Sequence, residues 1–201
     1  MKNIIASFIL MGLMLVGLGL NAQQKVSKTV STPTHSKKLA SKKTSNSANK
    51  INWMTIEEAQ ERAKKEPRKI YIDVYTEWCG WCKRMDKSTF IDPAVVKYIN
   101  SNYYAVKLDA ESKKPITFNG KEFKYVAEGR RGYNEFAATI LQGKMSYPTS
   151  VVLDESSRII QPIPGYVDGP TMDKILHYFG EDAYKTQRFE VFEKKYKPSG
   201  K

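Results

Sequence analysis

Residues 69–76, KIYIDVYT, form a short run dense in β-branched and aromatic side chains, and the run leads straight into CGWC at 79–82. Such a run reads as a buried strand, which fixes one strand inside a layered domain. The only two cysteines of the chain, Cys79 and Cys82, stand at the exit of that strand. Trp78 precedes them and Trp81 lies between them. CGWCKRMDKSTF then continues as a helix.

The flanking elements fit the same reading. Met54–Glu66 is expected to be a helix, opened by a capping box of Thr55 with Glu58 and ended by Pro67. Asp92-Pro93 opens a second short helix, with Val95, Val96 and Ile99 on its apolar face. Tyr104–Asp109, YAVKLD, is a second buried strand. Two strands joined by a helix imply a parallel pair with a right-handed crossover. Within 115–126, Asn119-Gly120 between two β-prone runs signals a hairpin. Gly132–Leu141 carries apolar residues at helical spacing (Tyr133, Phe136, Ala137, Ile140, Leu141) and stops at Gly143. Strands at 150–154 and 158–163 form an antiparallel pair. A helix over Pro170–Phe179 turns Met172, Ile175, Leu176 and Phe179 inward, and 181–197 reads as one further amphipathic helix. The expected fold is α/β: a mixed central sheet with helices on both faces, a hairpin-containing insert and an extra C-terminal helix.

The N-terminal fifty residues have a different composition. Lys2 is followed by Ile4–Leu20, an uncharged and almost wholly apolar run of 17 residues that ends at Asn21-Ala22. That pattern is expected of a signal peptide over 1–22, cut after Ala22. A retained membrane anchor is the competing reading, and only that reading brings the protein into contact with a membrane. Residues 23–50 carry seven lysines and no acid, with Val26, Val30 and Leu39 as the larger apolar residues. A stretch so poor in apolar surface reads as a disordered tether. The formal charge of +12 is concentrated there, because 51–201 holds 25 basic against 21 acidic residues. That balance, on an exported chain, argues against nucleic acid as a partner. The remaining 151 residues make one domain with room for a real core.

Three chemistries are open to a lone cysteine pair. A structural zinc site needs four ligands; the two histidines, His35 and His177, lie far from the pair and from metal-ligand spacing, so no metal is expected. A staple closing so small a loop removes little chain entropy. A redox couple has a physical basis. At a helix start, unpaired backbone N–H groups and the helix dipole favour a negative sulfur. Lowering a thiol pKa from about 8.5 to about 7 raises the thiolate fraction at pH 7 from about 3% to about half. Cys82, one turn on, is placed to attack a mixed disulfide. This chemistry needs no cofactor.

IDVYTEWCGWCK, followed by VKLD and later by SYPTSVVLD, resembles the thioredoxin superfamily, over roughly 55–180. Within it the sequence is most similar to exported thioredoxin-like proteins and to the soluble reducing domains of periplasmic disulfide-interchange reductases. The resemblance implies an exposed nucleophile at Cys79 and a buried resolving thiol at Cys82. It makes Asp73 the buried acid that takes the resolving thiol's proton, approached by Lys107; a solvent-facing Asp73 and a plain surface Lys107 are the alternatives. It makes Pro148 a cis-proline facing the cysteines and gives Tyr147 backbone hydrogen bonds to a client strand. Trp78, Gly80 and Trp81 complete the client-contacting set. Trp81 departs from the Pro, His or Tyr of the best-known members. With no His or Lys between the cysteines, the pair tilts toward a reductant. Glu77 would oppose thiolate formation if it lies close. The 110–131 segment, with its expected hairpin and Arg130-Arg131, either borders the client groove or is a surface excursion.

The function so implied is thiol-disulfide exchange in the cell envelope, periplasmic or secreted. The protein would reduce or reshuffle disulfides of exported proteins, with a membrane thiol-transfer partner as electron donor. A disulfide oxidase or isomerase using the same CxxC, and a non-catalytic binding module, are the alternatives.

Overall fold

A computed structural model describes residues 50–198; the expected leader, and all but the last residue of the expected tether, lie outside them. None of the described helices is long and apolar enough to cross a membrane. Five strands make the central sheet: β1 (Trp53–Met54), β2 (Lys69–Tyr75), β3 (Tyr103–Asp109), β8 (Thr149–Leu153) and β9 (Ile159–Pro164). Their spatial order is β1-β3-β2-β8-β9. β1, β3 and β2 are parallel, whereas β8 runs antiparallel to β2 and β9 antiparallel to β8.

Strand alternation divides the core into two layers. Ile70, Ile72 and Val74 of β2 face one side with Val106 and Val151. There they meet Ile56 and Ala59 of α1 (Ile56–Lys65) and Phe136 and Ile140 of α4 (Glu135–Ile140). Tyr71 faces the other side with Ala105 and Val152. That layer is closed by α2 (Gly80–Lys87), α3 (Pro93–Asn102) and α5 (Gly169–Gly180), through Met85, Val95, Ile99, Met172 and Leu176. Each fully buried aliphatic side chain contributes about 1.5–3 kcal/mol relative to exposure, so β2 is held from both faces.

Local signals explain most boundaries. Thr55 and Glu58 form the capping box, which starts α1 at Ile56; Met54 instead pairs with Val106 in the edge strand β1. Asp92 caps α3 ahead of Pro93. The hairpin of β4 (Ile116–Phe118) and β5 (Lys121–Phe123) turns at Asn119 and Gly120, both with positive φ. It is pinned to α1, where Gln60 bonds both Thr117 O and Asn119 N and Glu57 accepts from Thr117 N.

Two helices differ from expectation. The fourth was expected from Gly132, yet Tyr133 and Asn134 form β7, paired with β6 (Tyr125–Val126). Asn134 decides the start. Its backbone N–H donates to Ala110 O, its amide donates to Ser112 O and Lys114 O, and its Oδ1 accepts from Phe136 N–H. A residue so engaged is a cap, and Tyr133 before it is only half-buried. The C-terminal segment is divided rather than continuous. A short 3₁₀ turn at Ala183–Lys185 follows Asp182, whose backbone is left-handed, and α6 covers only Phe189–Lys195. Phe192 supplies the buried anchor of α6.

Candidate active site

The strand order places the cysteines. β2 lies in the middle of the sheet, and its exit leads through Thr76–Trp78 to the start of α2. Cys79 is the N-cap of that helix. Its N–H donates to Thr76 O at 3.1 Å, and Lys83 N–H donates to its carbonyl at 3.2 Å. Cys79 and Cys82 are joined in a disulfide, and Cys79 Sγ also accepts from Cys82 N–H at 3.1 Å. The cap position therefore already directs a backbone donor at the first sulfur. On reduction the same donor and the helix dipole favour its ionised form.

Exposure differs from expectation. Cys79 keeps only 4% of its surface and Cys82 1%, whereas Trp78 and Trp81 keep 51% and 58%. The ranking of the two cysteines is the expected one, but Cys79 is not broadly exposed. Its place as cap of α2 leaves it far less exposed than the tryptophans that flank it in sequence.

Asp73 is buried on the same face of β2 as Tyr71, the face that α2 covers. In register it pairs with Lys107 of β3 and Ser150 of β8. Lys107 Nζ donates to Asp73 Oδ2 at 2.5 Å and also to Asp86 Oδ1. Asp73 Oδ1 is buried without a partner. Burial raises the Asp73 pKa, and the attraction of Lys107 only partly opposes it. Burial alone would lower the Lys107 pKa, but Asp73 and Asp86 outweigh it and the net shift is upward. The ammonium also lies 5.0–5.2 Å from the ring centres of Trp53, Tyr75 and Phe90.

The peptide bond between Tyr147 and Pro148 is cis. Trp78 packs edge-on against Tyr147 at 6.0 Å, which brings the proline loop beside the cysteine loop. Burial, then Glu111 and Asp109, push the Tyr147 hydroxyl up to about 12. Trp78 Nε1–H donates to Glu111 at 2.9 Å, and the Arg131 guanidinium sits 4.5 Å over the Trp78 ring. On the other side Trp81 packs on Tyr166 at 5.4 Å, with Arg84 over both rings. Gly80, between Cys79 and Trp81, is exposed and has open space where a Cβ would stand.

A family model named Thioredox_DsbH, described as a protein of unknown function, DUF255, matches residues 36–161, more than half of the chain. The chain belongs to this family. It is a member of the thioredoxin superfamily, and its sheet order and helical layers are those of a thioredoxin-like fold. An uncharacterized protein of Caenorhabditis elegans is 30% identical over 86 residues, which cover 42% of this chain and 12% of that protein. The chain thus spans about a tenth of the length of the curated relatives it matches. Among solved structures, a thioredoxin-fold protein from Helicobacter pylori is 20% identical with a TM-score of 0.49, covering 64% of this chain and 80% of its own. A thioredoxin from Thermus thermophilus is 16% identical with a TM-score of 0.48, covering 65% of this chain and 87% of its own.

Three side chains at the site, Asp86, Glu111 and Tyr166, were not singled out from sequence. Asp86 had a usable signal, since it lies one helical turn beyond Cys82. Glu111 comes from the 110–131 segment, which through it and Arg131 reaches Trp78, next to Cys79. Tyr166 and its contact with Trp81 follow only from the path of the chain after β9.

Proposed function

We propose that this chain is a thiol-disulfide oxidoreductase that reduces or reshuffles disulfides in exported proteins. One observation carries the reading: a disulfide caps a helix at the exit of the central strand, on the sheet face that holds a buried carboxyl of raised pKa. The leader-like run at 4–20 supports a place outside the cytoplasm, as a periplasmic or secreted protein.

In the reduced protein, the Cys79 thiolate attacks one sulfur of a client disulfide. A Cys79–client disulfide forms, and the client's other sulfur leaves as a thiolate that takes a proton from water. The Cys82 thiol gives its proton to Asp73 and attacks Cys79 Sγ. The Cys79–Cys82 disulfide forms, the second client sulfur leaves as a thiolate that takes a proton from water, and Asp73 later releases its proton to solvent. Two electrons pass to the client, and the oxidised protein is the state the structure describes. A dithiol donor must return those electrons, which outside the cytoplasm implies a membrane thiol-transfer partner. Trp78, Trp81 and the backbone of Tyr147 beside Pro148 hold the client segment during exchange. Lys107 holds Asp73 in place and limits how far its pKa rises.

An insulin-type disulfide reduction assay tests the proposal. Wild-type protein with a dithiol donor is expected to turn over, and Cys79→Ser is expected to be inactive. Equal rates for the two proteins overturn the reading.

A further inference from the structure

The surface around the disulfide is electrically divided. On the Trp78 side stand three carboxylates, Glu77, Asp109 and Glu111, close enough that the other two help to raise the Asp109 pKa beyond the effect of its burial. Arg131 is a cation on this side, stacked on Trp78. On the Trp81 side, the exposed face of α2 presents Lys83, Arg84 and Lys87. Among the described residues none of these three forms an ion pair, so all three charges on this one helix face stay free for an incoming anion. Asp86, the one acid in this helix, turns away to Lys107.

Those cations line an open hollow of about 660 Å³ together with Gly80, Trp81 and Ser88. No carboxylate contributes to its lining. Trp81 is the one aromatic side chain of its lining, and it packs on Tyr166, whose hydroxyl lies 3.2 Å from Ser88 Oγ. The hollow begins at Gly80, next to Cys79, so it lies within reach of a chain whose cysteine is bonded to Cys79.

We infer that this hollow docks an acidic segment flanking the reacting cysteine of a partner polypeptide. The occupant follows from charge. Three unpaired cations beside an exposed indole attract carboxylates, and hydrophobic contact with Trp81 adds area that a free anion lacks. The chain's own 23–50 stretch, with seven lysines and no acid, lacks the charge for this role. The division of charge also sets direction. The acidic flank of the partner lies along α2, and a basic or neutral flank lies toward Glu111. This inference rests on the proposed exchange reaction only for the presence of a bonded cysteine.

The test separates docking from chemistry. Fluorescent peptides of about ten residues, with Ser at the cysteine position and either acidic, neutral or basic flanks, are titrated into the oxidised protein and followed by anisotropy. Acidic peptide is expected to bind about tenfold or more tighter than basic peptide at low salt, with the difference shrinking as the Debye length falls to about 10 Å near 0.1 M. Arg84→Glu/Lys87→Glu is expected to remove or reverse the preference. Equal binding of the peptides, no measurable binding, or a preference that survives the double substitution overturns the inference. So does tighter binding of anionic phospholipid vesicles or a DNA oligomer than of acidic peptide. A parallel assay of turnover on a neutral small disulfide reports the exchange reaction by itself, so loss of turnover with retained acidic preference sinks only the reaction.

Discussion

Lys107 stands between two carboxylates of opposite setting: Asp73, buried to 1% side-chain exposure, at 2.5 Å, and Asp86, 44% exposed on α2. Parallel pairing of β2 with β3 fixes the first contact, since Asp73 and Lys107 are register partners. The helix after the cysteines supplies the second. Cys82 and Asp86 share α2, so the element that carries the resolving thiol also holds the cation that tunes its expected proton acceptor.

The raised Asp73 pKa is a statement about stability. Between the ordinary carboxyl value and the raised one, the folded protein binds more protons than the unfolded chain. Stability from this group therefore falls as pH rises through that window. Asp73→Asn has no such proton to lose. The stability of Asp73→Asn relative to wild type is expected to increase from pH 4 to pH 8, by about 1.4 kcal/mol for each unit of separation between the two states. Urea unfolding across that range measures it; a difference that is flat, or that falls with pH, contradicts the assigned shift.

Opposite shifts are expected from the two partners of Asp73. Lys107 lowers the Asp73 pKa and Asp86 raises it. Lys107→Ala should move the acidic limb of the pH–rate profile upward, and Asp86→Asn should move it downward. Both rates are measured with one small disulfide from pH 5 to 9. Shifts of the same sign would show that Asp73 is not the group being read.

The sheet and its cysteine helix were legible in the sequence because local signals agreed there: a β-branched run, a capping residue and an amphipathic face for each helix. Val95, Val96 and Ile99 are buried as their spacing predicts, and so are Met172, Ile175, Leu176 and Phe179. The edge strand was not legible, because Trp53–Met54 is only two residues long and owes its conformation to β3. Asn134 misled for a related reason. Its capping role depends on carbonyls of Ser112 and Lys114, twenty residues away, so helical spacing alone placed the start too early. Trp78 could be named from its place beside Cys79, but Glu111 and Arg131 reach it only through the fold of an insert.

Trp78 is oriented by Glu111, and the bond has a testable worth. Losing one such hydrogen bond costs about 1 kcal/mol, near a fivefold effect. Glu111→Ala is expected to lower kcat/KM toward a protein disulfide by about that factor. Glu111→Gln keeps an oxygen acceptor for the indole N–H and should stay close to wild type. Equal losses in both variants would assign the effect to charge instead of to the orientation of Trp78.

Gly132 fixes where Arg131 stands. A Cβ there would lie 2.1 Å from Val126 O and 2.4 Å from the Tyr125 ring, far inside contact distance with backbone that pairs in β6–β7. Gly132 N–H also donates to the Tyr125 hydroxyl at 2.9 Å. The two short strands hold only two residue pairs, so they have little with which to resist the displacement. Gly132→Ala is therefore expected to open β6–β7 while the central sheet stays intact. Hydrogen exchange should report faster amides at 125–134 and unchanged protection in β2 and β3. Because Arg131 loses its place over Trp78, exchange activity should fall together with the local opening. Uniformly faster exchange across the sheet would mean instead that the insert is integral to the core, through Phe123 and Phe136, and not a separately openable border of the site.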